Sequence, residues 1–154
     1  MKTLIKLLLL TISISLSSCG NGDSQKTEST IEKPILEVKT VLNMSVSELE
    51  NVLGKITKKE KVKGYPCENA NCERVFFEKE KYEIIFKEGK IDRITINDTQ
   101  NLSTDENAIT KLGLPKTTPS FMNSGTVVRY SSIEGIHEIN FNTNFIYIIV
   151  NSTK

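Results

Sequence analysis

Two cysteines, a lone histidine and a run of alternating charges are the residues of this chain whose types suit chemistry. Cys67 and Cys72 stand in Tyr65-Pro66-Cys67-Glu68-Asn69-Ala70-Asn71-Cys72. A thiol pair can hold a metal, exchange electrons or close a disulfide. A metal site would need two more ligands, and His137 is the only histidine. A poised redox pair has a two-residue spacer at a helix start, and neither is present. His137 has a side chain suited to general-base work, but it falls in an expected strand beside Ile136 and Ile139 with no nucleophile near it. Glu78, Glu80 and Glu83 alternate with Lys79 and Lys81, the pattern of a solvated hairpin turn rather than of an acid/base pair. Nucleophile-elbow, P-loop and His-x-x-x-His patterns are all missing. The expectation is a non-enzyme, with no catalytic residue, no cofactor and no metal.

The opening segment reads MKTLIKLLLLTISISLSSCG. Lys2 and Lys6 precede an apolar run from Leu7 to Leu16, which as a helix reaches about 15 Å, half of a hydrocarbon core. That length suits a signal peptide better than a membrane anchor. The run ends in Leu16-Ser17-Ser18-Cys19, which resembles the bacterial lipobox. The resemblance implies cleavage of residues 1–18 and lipidation of Cys19, with several acyl chains holding the protein to a membrane. Gly20 follows the cysteine where inner-membrane retention would place Asp, so the resemblance favours the outer membrane of a bacterial envelope. An exported location in turn favours a disulfide between Cys67 and Cys72.

Charge narrows the partners. The chain has 154 residues, 20 basic and 19 acidic. Cleavage before Cys19 removes 18 residues and two lysines, leaving a formal charge of −1. A nucleic-acid binder would carry a basic excess, so none is expected. Five lysines in Lys55–Lys63 read as a solvated edge segment that discourages strand pairing.

Residues 19–33 form an expected tether, poor in apolar side chains. From residue 34 to 154 an α+β domain is expected, built of two tandem repeats over about 41–98 and 99–152. Ser45-Val46-Ser47-Glu48 and Ser103-Thr104-Asp105-Glu106 are capping-box patterns that open short helices. Leu49, Val52 and Leu53 supply one apolar face, Ala108, Ile109 and Leu112 the other, and each helix ends in Leu-Gly. Three strands are expected after each: Arg74–Glu78, Tyr82–Phe86 and Ile91–Asn97, then Val127–Tyr130, Ile136–Phe141 and Phe145–Asn151. Ile94 matches Ile148 and Asn97 matches Asn151, both 54 positions on.

A short helix followed by a three-stranded antiparallel meander, given twice, resembles the outer-membrane lipoproteins of the BamE type and the tandem-repeat β-lactamase inhibitory proteins. Asn43-Met44-Ser45, Leu53-Gly54 and Leu112-Gly113-Leu114-Pro115 carry that likeness, although Asn43 stands where the group has Gly. The resemblance implies a lipid-anchored module that binds another envelope protein, as an assembly accessory or inhibitor. An envelope hydrolase using His137 and a structural or immunity lipoprotein are the alternatives. Tyr65, Phe121 and Met122, set in the two loops expected between helix and sheet, are the candidate contact residues.

Overall fold

The computed structural model describes residues 33–151, apart from Pro66, Asn69, Asn101 and Ser103. The segments expected as signal peptide and, for the most part, as tether lie outside the described residues, as does Cys19.

Six segments with the apolar, β-branched composition of strands form strands, and two less obvious ones join them. They are β1 (Ile56–Lys61), β2 (Cys72–Phe77), β3 (Tyr82–Lys87), β4 (Lys90–Asn97), β5 (Phe121–Asn123), β6 (Val127–Ile133), β7 (Ile136–Asn142) and β8 (Phe145–Ile149). All belong to one antiparallel sheet in the order β1-β2-β3-β4-β8-β7-β6-β5. Sequence-adjacent strands pair within each half, and β4 against β8 joins the halves, with Ile94 opposite Ile148.

This corrects the expected α+β architecture of two helix-plus-three-strand repeats. Three strands per half become four, because Ile56–Lys61 pairs with β2 and Phe121–Asn123 with β6. Neither half is a separate meander, because the last strand of each is the hydrogen-bonded neighbour of the other. The lysine stretch is itself an edge strand: main-chain pairing needs no apolar side chain, and charge on an edge blocks further addition.

The helical content is also smaller than expected. Helix α1 spans Val38–Val41 and α2 spans Val46–Leu53. The capping box of α2 is formed: Glu48 N–H donates to Ser45 Oγ, and Ser45 N–H donates to Glu48 Oε2 at 2.8 Å. The Ser45 side-chain hydrogen bond, with the backbone one, holds the Glu48 carboxyl below its ordinary pKa. Leu49 and Leu53 are buried, one turn apart, whereas Val52 points away and is exposed. The second expected helix is only a 3-10 turn, Ala108–Leu112. Asp105 Oδ1 takes the Asn107 N–H, and i→i+3 bonds such as Thr110 N–H to Asn107 O follow. Five residues with adjacent β-branched Ile109 and Thr110 are too short and stiff to propagate an α-helix. Gly113 ends the turn at φ 69°, and a Cβ there would strike the Glu37 carboxylate. The left-handed φ is what calls for glycine here, since the exposed Glu37 side chain can swing aside.

Cross-strand register sorts the side chains onto two faces. One row runs Ile56, Phe77, Tyr82, Ile96, Ile146, Phe141, Val128, Met122, and a second contains Val75, Ile84, Ile94, Ile148, Ile139, Tyr130. All of these but the exposed Met122 pack in one core with Val38, Val41, Leu49, Leu53, Ile109 and Leu112. Tyr130 ties sheet to turn: its ring meets Phe141 edge-on at 5.9 Å and its hydroxyl donates to Glu106 O at 3.2 Å. The helical segments therefore cover one face of the sheet, and its other face carries the functional candidates.

Candidate functional site on the open sheet face

Alternation places a different set on that second face. One continuous row crosses all eight strands: Lys58, Phe76, Glu83, Thr95, Tyr147, Asn140, Arg129, Phe121. The row beside it reads Glu60, Arg74, Ile85, Arg93, Ile149, Glu138, Ser131. Both rows mix acidic and basic groups. Arg74 pairs with Glu60 at 3.2 Å and Glu83 at 3.0 Å, while Arg129 Nε donates to Asn140 Oδ1 at 2.7 Å. Asn140 in turn donates to Glu138.

The β1–β2 loop covers part of this face. Cys67 and Cys72 are disulfide-bonded, with Cα atoms 5.9 Å apart. Both are buried against Ile85, with Val62 and Ala70 around them. Asn71 N–H donates to the Glu88 side chain at 2.9 Å, and Glu88 N–H returns a bond to Asn71 O. The loop is thus fastened to the β3–β4 turn as well as to itself. Replacing both cysteines by serine should cost about 2 kcal/mol, the loop entropy of so small a ring. Urea unfolding of the double variant against wild type measures it, and an unchanged midpoint would mean the Asn71–Glu88 bonds suffice.

The fastened loop delivers Tyr65 onto Arg93. The Arg93 guanidinium lies 4.7 Å from the Tyr65 ring centroid and 5.8 Å from that of Tyr147. Its Nε donates to Asp92 Oδ2 at 3.1 Å and its Nη1 donates to Tyr147 Oη. Asp92 and Arg93 are both buried, although alternation sets Arg93 with Thr95 on the face opposite Ile94 and Ile96. Asp92 is at the β-bulge between the Ile85–Arg93 and Phe86–Ile91 pairs, which tucks its side chain inward. Burial opposes the Arg93 charge, but hydrogen bonds with Tyr147, Tyr65 and Asp92 outweigh it and raise the guanidinium pKa above its ordinary value.

The three contact candidates are separated by the fold. Tyr65 lies in a strand-to-strand loop and Phe121 in edge strand β5, so neither occupies the helix-to-sheet loop expected for it. Both nevertheless reach the open face, each ring against an arginine: Phe121 is 5.8 Å from Arg129. Met122 projects to the opposite face, opposite buried Val128, because neighbouring strand residues point opposite ways. Tyr65, Phe121 and Met122 are all at least half exposed. His137 sits at the far end of β7, exposed, beside a shallow cleft lined by Ser132, Gly135, Ile136, Val150 and Asn151, which holds no carboxylate. Among the described residues no group of three His, Cys, Asp or Glu side chains converges to hold a metal.

Asp92, Arg93, Tyr147 and exposed Phe145 escaped the sequence reading. A buried-charge signal is present in hindsight only as an Asp-Arg pair set between Ile91 and Ile94. No family model, curated protein or solved structure matches the chain.

Proposed function

We propose that this protein is a non-catalytic binding module, anchored through lipid on Cys19 in a bacterial envelope, which engages another envelope protein on the open face of its sheet. One observation carries the binding surface: that face presents Tyr65, Tyr147 and Phe121 paired with Arg93 and Arg129, on a sheet face that no helix among the described residues covers. Tyr and Arg are the residues that most often anchor protein contacts, being large, stiff and able to hydrogen-bond at one end. The lipobox pattern at Leu16–Cys19 supports the anchor and the location.

Crosslinking in intact cells, with recovery from membranes and mass spectrometry, tests this reading. Wild type should capture a protein partner, and Tyr65→Ala/Phe121→Ala should lose most of it while remaining folded. Loss of one anchor residue typically costs 2 kcal/mol or more, about thirtyfold in affinity. Undiminished capture by the folded double variant would remove this face as the contact surface.

A further inference from the structure

We infer that Arg93, beneath the ring of Tyr65, is the anchor point for a carboxylate of the bound partner. The inference deepens the protein-binding reading of the open face and rests on it.

A guanidinium has five N–H donors and no acceptor. Asp92 takes Nε, Tyr147 Oη takes one proton of Nη1, and the Tyr65 side chain also hydrogen-bonds the guanidinium. Among the described residues Nη2 has no hydrogen-bond partner, although the Arg93 side chain is only 8% exposed. Folded proteins rarely leave a buried donor unmet, and a charged one is the costliest to leave. Tyr147 Oη accepts from Nη1, so its own hydroxyl proton is directed away from Arg93. Nη2 and the Tyr147 hydroxyl, which is itself bonded to Nη1, are then two donors of the same cluster with a hydrogen left to give.

Two adjacent donors, one of them charged, match the two oxygens of a carboxylate better than a single carbonyl oxygen. Arginine keeps its charge at any physiological pH, so recognition of an anion there does not depend on titration. Asp92 offsets one unit of charge and orients the guanidinium from Nε. The ring that lies against the guanidinium belongs to Tyr65, 66% exposed and carried by a loop rather than a strand. An arriving carboxylate displaces that ring while the disulfide keeps the rest of the loop in place.

The side-chain Nε–Hε signal of Arg93, followed by ¹⁵N NMR in the full folded domain with its disulfide intact, reads this directly. The probes are acetyl-Gly-Glu-Gly-amide, acetyl-Gly-Gly-Gly with a free terminal carboxylate, acetyl-Gly-Gln-Gly-amide, and inorganic phosphate. At least one of the two carboxylate peptides should shift the signal saturably, and the Gln peptide should not. Response to the Glu peptide alone assigns an acidic side chain as the source, and response to the free terminus alone assigns a chain end. Tyr147→Phe should bind the responding peptide about tenfold weaker, through loss of one hydrogen bond.

An Arg93 signal unmoved by both carboxylate peptides, in wild type and in Tyr65→Ala, overturns the inference. So does an equal response to the Gln peptide or to phosphate. Crosslinking separates this failure from failure of the binding reading. A partner captured equally by wild type and folded Tyr147→Phe overturns the carboxylate anchor and leaves the binding face standing.

Discussion

Asp92→Ala should destabilise the protein by about 3–5 kcal/mol, the cost of leaving a buried charge without its partner. Asp92 and Arg93 have side chains only 2% and 8% exposed, and the Asp92 carboxylate is bonded to Arg93 Nε at 3.1 Å. Without that carboxylate the guanidinium keeps only phenol neighbours, which bond it but carry no opposite charge. The double variant Asp92→Ala/Arg93→Met should recover most of the loss, because an apolar side chain of similar length fills the space with no charge to solvate. Urea unfolding of both variants measures the difference. A loss below about 1 kcal/mol for Asp92→Ala would show that the pair behaves like an exposed one.

The second large effect is at the seam of the sheet. Ile94 and Ile148 face each other across β4 and β8, and neither has any exposed surface. Either isoleucine replaced by alanine should cost about 2–5 kcal/mol, from lost burial and the cavity left behind. Since the two share one packing site, the double variant should cost measurably less than the sum of the singles. Strict additivity would mean that the halves are held by main-chain pairing at this point and not by the contact of these side chains.

Local periodicity disclosed what it can reach and little more. Six strands were legible because Val, Ile, Phe and Tyr recur in short runs between turn residues, as in Tyr82–Lys87 and Ile136–Asn142. The α2 cap was legible because Ser45 and Glu48 carry their own instructions. β1 was hidden by its lysines, and β5 by its length of three residues. What joined the strands was not legible at all. The 54-residue match of Ile94 with Ile148 suggested repetition, yet the structure makes those two residues cross-strand partners. A shared pattern reports similar local environments and is silent on which strand lies beside which.

The candidate site divides in the same way. Tyr65 and Phe121 were visible as aromatic residues in polar surroundings, but their meeting on one face depends on register across the whole sheet. Arg93 was concealed because a charged residue in an alternating strand reads as solvent-facing. Its burial comes from Tyr65, 28 positions earlier in the chain, and from Tyr147, 54 positions later.

The β4–β8 seam also governs the order in which this chain becomes safe from self-association. As a chain is made or delivered from its N-terminus, β1 to β4 arrive first, with lysines guarding the β1 edge. The β4 edge is charged only as far as Arg93: until β8 arrives it offers unpaired main-chain groups beside Ile94 and Ile96. β8 comes last among the strands, after β5, β6 and β7 have passed. The most adhesive edge of the sheet is therefore the one that waits longest for its neighbour, and the period of greatest aggregation risk is set by the transit of the second half.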